Sequence, residues 1–175
     1  MADFGSGSDA FDAGWRTNSD GEIVELATTL RSLVWSWRMD DLMSLLVVFP
    51  WHDPIIESPD WARFDAGLGA GTCDVLGRNK DAERIEVAVT TLSADNTAGR
   101  DEVRKTFDHM TAVLTGPLGE PSQRIADAIP EIRWTGEETT LLLTDLSLMV
   151  RLCLVTNTWL VEYDETNGLQ GQSTT

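Results

Sequence analysis

The sequence predicts an α+β protein: a mostly antiparallel sheet that ends in a C-terminal β-meander, with two main helices packed on one face. Three observations carry that expectation. Short apolar runs between Glu131 and Asp164 alternate with turn residues, at Gly136 to Glu138, Asp145 to Ser147, and Thr156 with Asn157. Connections this short join antiparallel neighbours. Two stretches, near residues 20–37 and 100–115, carry apolar residues at helical spacing. Arg84 to Leu92 alternates strictly, with Ile85, Val87, Val89 and Thr91 on one face, as a half-buried strand does.

Taken in order, residues 1–14 mix Gly, Ser, Ala and Asp with Phe4 and Phe11 and read as a flexible N-terminal tail. Residues 15–166 read as one domain, since 175 residues suffice for one adequate core. Ser19-Asp20-Gly21-Glu22 is a capping box. Ile23, Leu26, Ala27, Leu30, Leu33, Val34 and Trp37 then mark one buried helical face. A second short helix is expected from Asp40 to about Val48, with Asp40 and Asp41 in its dipole-favoured first turn. A buried strand is the alternative for Leu45 to Phe49.

Pro50 to Pro59 reads as loop because three prolines interrupt it. A strand is expected from Trp61 to Leu68. Gly67, Gly69 and Gly71 then form a hairpin into Thr72 to Arg78. After the strand at Arg84 comes a small-residue connection, Ser93 to Gly99, and a helix from Arg100 to Thr115. Val103, Phe107, Met110 and Leu114 form its stripe; Gly116 is placed to end it and Pro117 to prevent continuation. Gly119 to Pro130 reads as irregular or a short helical turn. The meander follows, with Trp159 to Tyr163 as its last strand. Residues 167–175 read as a flexible C-terminal tail.

The formal net charge is −16, from 29 acidic and 13 basic residues. Nucleic acid and anionic membrane are poor partners for such a surface, and a basic protein is a favourable one; solubility alone also accounts for acidity. The longest apolar run, Leu42 to Phe49, is too short for a membrane span. The N-terminus lacks the basic and apolar regions of a signal peptide, so a cytoplasmic location is expected. Cys73 and Cys153 sit in apolar runs and read as buried thiols.

Catalytic signatures are weak throughout. The Gly67 to Gly71 run lacks the following helix and Lys of a phosphate loop, and a hairpin turn explains it. His52 beside Asp53, and His109 on the second main helix, have no partner at metal spacing, and the cysteines form no C-x-x-C pair. No Ser lies in a G-x-S-x-G elbow. Asp40 with Asp41, and Glu137 with Glu138, suit a first helical turn and a β-turn. The expectation is therefore no enzyme, no cofactor and no metal. The rival reading is a carboxylate-based enzyme.

Partner contacts are expected at two places. Ala94, Asp95, Asn96, Thr97, Ala98 and Gly99 form a slim connection able to enter a partner's cleft, although a plain strand-to-helix link also accounts for it. Trp51 and Trp61 flank the proline loop and are expected to be partly exposed anchors.

Trp35-Ser36-Trp37 after a capped helix, Phe107 and Leu114 ahead of Gly119-Glu120-Pro121, Ile132-Arg133-Trp134 before an apolar strand, and a final Tyr163-Asp164 occur here in that order. In this the chain resembles a family of small actinobacterial immunity proteins, among them the type that neutralises the NAD-degrading necrotizing toxin of mycobacteria. The resemblance spans most of Ser19 to Asp164, and its motifs carry over no toxin-contacting residue. It implies a cytoplasmic antitoxin, monomeric when free, that binds its cognate toxin one-to-one and blocks the active site, such as that of an NAD glycohydrolase. The alternative is a small acidic secretion or folding chaperone that dimerises through Trp159 to Tyr163.

Overall fold

The structure, a computed structural model, describes residues 14–168. Apart from Gly14, Asn167 and Gly168, the expected tails lie outside that range. The architecture is α+β, as the alternating runs predict. Eight strands form one antiparallel sheet in the order β1-β2-β3-β4-β8-β7-β6-β5. They are β1 (His52–Ser58), β2 (Trp61–Asp65), β3 (Cys73–Arg78), β4 (Asp81–Ala88), β5 (Gln123–Ile125), β6 (Glu131–Thr135), β7 (Thr139–Asp145) and β8 (Val150–Thr156). Helices α1 (Asp20–Arg31) and α3 (Thr97–Leu118) cover one face, while a 3-10 turn (Met39–Ser44) runs into the short α2 (Leu45–Val48). Among the described residues no helix is long and apolar enough to cross a membrane.

The topology repeats although the sequence does not. A helix followed by a four-stranded antiparallel meander occurs twice: α1 precedes β1 to β4, and α3 precedes β5 to β8. The last strands of the two halves, β4 and β8, pair antiparallel at the centre of the sheet.

The core lies between that sheet and the helices. One row of paired residues crosses it from Ala62 through Val75, Ile85, Leu154 and Leu141 to Trp134. All six are buried. Ile23, Ala27 and Leu30 of α1, with Val103, Phe107, Met110 and Leu114 of α3, close over it. Each buried aliphatic side chain of this kind contributes about 1.5–3 kcal/mol through removal from water. The capping box forms as the sequence predicts: Ser19 accepts from the Glu22 amide and Glu22 accepts from the Ser19 amide at 2.9 Å.

Five local expectations are corrected. First, α1 stops at Arg31, so Val34 is 96% exposed and Trp37, at φ 57°, lies outside any helix. Val34, Trp35 and Trp37 are weak helix formers, and the two indoles instead pack on each other at 5.3 Å.

Second, the Pro50 to Pro59 stretch contains β1. An edge strand tolerates Pro54 because its missing N–H need not face a partner, and a register irregularity falls at that point. Third, α3 continues through Gly116 and Pro117 to Leu118. Proline fixes φ near the helical value of about −65°, so one further turn forms. Gly119, at φ 83°, ends it. Fourth, Gln123–Ile125 pairs with β6 as a short strand.

Fifth, the last run of the meander is a helix, α4 (Asn157–Thr166), capped by the Thr156 hydroxyl accepting from Trp159 N at 3.3 Å. The strand on which a two-fold dimer at Trp159 to Tyr163 depended is therefore not there.

Candidate functional site

The face of the sheet away from α1 and α3 is polar and structured. Period-2 alternation sends every second residue to it, and the register aligns them: Arg63, Asp74, Glu86, Cys153, Leu142, Arg133 and Gln123 lie directly opposite one another across seven strands. Charges on this face meet opposite charges. Arg63 Nε lies 3.3 Å from Asp74, Arg151 Nη1 lies 3.4 Å from Glu86, and Arg84 Nη1 reaches the other oxygen of Glu86 at 3.6 Å.

Helix α4 covers one end of this face. Leu160 packs into a second small cluster with Leu142, Cys153 and Val155. Its clamp is Arg133, whose side chain is 4% exposed. Arg133 donates to Glu131 at 2.7 Å through Nε and to both oxygens of Asp164 at 2.7 and 2.8 Å. Burial opposes the charge, but the hydrogen bonds to Asp164 and Glu131 outweigh it and the pKa of Arg133 is raised. Trp159 stacks on Tyr163 at 4.9 Å, and the Arg84 guanidinium lies 4.9 Å from the Trp159 ring centre. Burial pushes the Cys153 thiol up to about 12, against the opposing effect of Arg151 beside it. Cys73, on the helix-covered face, is likewise raised well above its usual value by burial.

The other end is left in solvent. Every residue of β1 is exposed, and Trp61 of β2 is 38% exposed. Trp61 is held, not loose: its Nε1 donates to Asp74 at 2.8 Å, and Arg63 lies 5.7 Å from its ring centre.

The sequence-selected residues divide. Trp61 is exposed as expected. Trp51 is not: it is 6% exposed, stacked on Phe49 at 4.0 Å and set against Phe64. The chain turns into β1 directly after it, which carries the indole inward.

The small-residue connection is shorter than it reads. Asn96 is the N-cap of α3, accepting from Gly99 N at 2.8 Å, and Thr97, Ala98 and Gly99 already belong to the helix. Asp95 pairs with Arg100 at 2.8 Å. Gly99 is buried, and a β-carbon there would overlap the Ala94 carbonyl oxygen. Ala94, Asp95, Asn96, Thr97 and Ala98 remain at the surface.

His52 does acquire a partner: its Nδ1 lies 3.5 Å from Asp53 and 3.7 Å from Asp65 of the neighbouring strand, and the three side chains bring atoms able to ligate a metal within 4.8 Å of one another. His52 and Asp53 are exposed, and Asp65 already accepts from Gly67 N at 2.8 Å, which holds its carboxyl below the usual range. His109 instead ties α3 to the start of α1 through Asp20 at 2.8 Å. Strand pairing created the His52 contact, so only the β1–β2 hairpin, hidden by the prolines, could have announced it.

Sequence and geometry together define a helix-backed antiparallel α+β domain with an ion-paired, partly open second face. The chain belongs to a family of unknown function, DUF6301, whose model matches residues 21–156. No curated protein and no solved structure matches it.

Proposed function

We propose that this chain is a non-enzymatic binding protein that inhibits a cationic protein partner one-to-one, as the resemblance to immunity factors implies, and that the open end of its polar sheet face is the contact surface. One observation carries the reading. Trp61 is an exposed indole fixed by Asp74 and flanked by Arg63 on a rigid sheet. Trp and Arg dominate interface energetics, and an anchor already held in place loses little entropy on binding. The net charge of −16 favours fast encounter with a basic partner. The exposed residues Ala94 to Ala98, which lead into and begin α3, are a second contact point in this reading.

The test has two stages. The chain is cross-linked in its own host, the captured protein is purified, and its activity is assayed with and without added chain. A stoichiometric complex with lost partner activity is expected, along with binding that weakens as salt rises. Trp61→Ala, with unchanged circular dichroism, should weaken the complex by about 2 kcal/mol, roughly thirtyfold. A partner that keeps its activity in the complex overturns the inhibitor reading. Undiminished affinity of Trp61→Ala overturns the surface.

A further inference from the structure

A pocket of about 390 Å³ opens where the end of α1 meets the turn between β6 and β7. Small-ligand sites run from roughly 300 to 1,000 Å³. Trp35 and Trp37, both half-buried, form its wall, and the buried Trp134 backs it. Arg31, Glu137 and Glu138 stand at its rim.

The wall is aromatic and held in place. The Trp35 and Trp37 rings meet at 5.3 Å and 47°. Trp35 Nε1 is spent on the Asp41 carbonyl at 2.9 Å, so that ring offers a ligand its π surface rather than a donor. Trp37 holds φ 57°, a left-handed conformation that is rare for a bulky residue and that clusters at functional sites. Hydrogen bonds pin it there: Trp37 O accepts from Ala82 N, and Met39 N next along donates to Lys80 O, both at 2.8 Å.

The rim is acidic. Glu137 and Glu138 are exposed, and among the described residues neither is ion-paired. Arg31, the basic residue of the rim, lies over none of the indoles. It sits in the last turn of α1, where the negative end of the helix favours a cation. The turn carrying the glutamates is rigid: Gly136 N donates to Thr139 O at 2.8 Å, and Asn157 Nδ2 donates to the Gly136 and Glu137 carbonyls at 3.0 and 3.1 Å. Two unneutralised carboxylates beside indole rings suit an organic ammonium, which the ring quadrupole attracts and the carboxylates balance.

We propose that this pocket binds a small organic ammonium ion, seated on Trp35 and Trp37 with its charge toward Glu137 and Glu138. The site is separate from the surface at Trp61: Trp134 belongs to the helix-covered core, and Trp61 bonds Asp74 on the other face of the sheet. An ammonium could also arrive on a side chain of a peptide; the pocket's size favours the free ion.

The probes are choline, its uncharged isostere dimethylbutanol, and an acetylated tripeptide with a central trimethyl-lysine, each titrated into the full chain and followed by amide and indole chemical shifts. Choline should bind at one site, shifting the Trp35 and Trp37 indoles and the Glu137 and Glu138 amides, and should weaken as salt rises. The alcohol should bind at least about threefold more weakly, the scale of a partly exposed cation–π contact. Glu137→Gln combined with Glu138→Gln changes two exposed side chains and should weaken choline about fivefold, with the rest of the spectrum unmoved. No shifts with choline, equal binding of the alcohol, tighter binding of the tripeptide than of choline, unchanged affinity in the double variant, or shifts elsewhere would each overturn the assignment.

Discussion

Arg133 and Asp164 are 31 residues apart and meet through two parallel hydrogen bonds of 2.7 and 2.8 Å. This fork fastens the C-terminal end of α4 to the sheet; Asn157 bonds Thr140, Gly136 and Glu137 at the other end, and Leu160 is the one residue the helix buries. A planar guanidinium matches a carboxylate at both oxygens, which a lysine could not do.

Asp164→Asn is therefore expected to destabilise the protein by about 3 kcal/mol, since it leaves a buried cation short of one partner. Urea unfolding monitored by circular dichroism checks this. Arg133→Lys should cost nearly as much, and a loss below about 0.5 kcal/mol, the range of ordinary surface substitutions, would show that the fork does not hold the helix.

The capping box gives a pH dependence. The Ser19 backbone amide donating to Glu22, with help from the Ser19 hydroxyl, lowers the Glu22 pKa. A lowered carboxylate contributes stability above its unfolded value of about 4.3, and that contribution disappears as pH falls through the folded value. Glu22→Gln keeps the hydrogen-bond geometry without the charge. Its urea midpoint should thus fall less steeply than that of the unsubstituted protein between neutral pH and pH 3. Ser19→Ala should cost about 1 kcal/mol at pH 7. Parallel pH curves for Glu22→Gln and the parent protein would refute the account.

Both thiols should be inert in the native state. Cys153 is pushed up to about 12 and Cys73 well above its usual value, while the nucleophile is the thiolate. A maleimide at pH 8 is expected to label neither until urea unfolds the chain, then to label both. Raised thiol pKa values also set a sign. Their stability contribution is intact below the unfolded pKa of about 8.5 and is lost as pH climbs toward the folded values. Rapid native labelling of Cys153 would mean that α4 opens readily.

Asn96→Ala separates a cap from a probe. The side chain accepts the Gly99 amide at the start of a 22-residue helix. Its loss should cost about 1 kcal/mol in thermal or urea unfolding. Asp95→Ala breaks only an exposed pair with Arg100, and surface pairs contribute little. Partner binding that survives Asn96→Ala but not Trp61→Ala would place the contact on the sheet.

The parts legible in the sequence are those governed by neighbours in the chain. Ser19 to Glu22 announces its own helix start, and Ile85, Val87 and Val89 announce a strand without reference to anything distant. Trp159-Leu160-Val161 does not: a run that short fits strand or helix, and the deciding contacts are the Thr156 cap and the fork from Arg133. His52, Pro54 and Ile55 form a strand only because β2 lies beside them. The same limit hid the candidate sites. Arg84, Glu86 and Arg151 alternate visibly, yet nothing local says that β4 lies against β8, and that pairing is what leaves two guanidiniums on one carboxylate.

The seam between β4 and β8 also governs how the chain reaches its fold. Within each half, hairpins close over short loops. The Ile85 and Leu154 partners must instead find each other across the whole of α3 and three further strands. Loop-closure entropy and non-local pairing make that the slow step. Leu154→Val should accordingly slow refolding in stopped flow, while Val75→Ala should mainly speed unfolding. Until the seam shuts, β4 and β8 are two naked edges lined with valine, leucine and isoleucine. Naked edges of that composition template aggregation. Refolding yield is expected to drop as chain concentration rises, and the loss should be worst in variants that delay the meeting of the two halves.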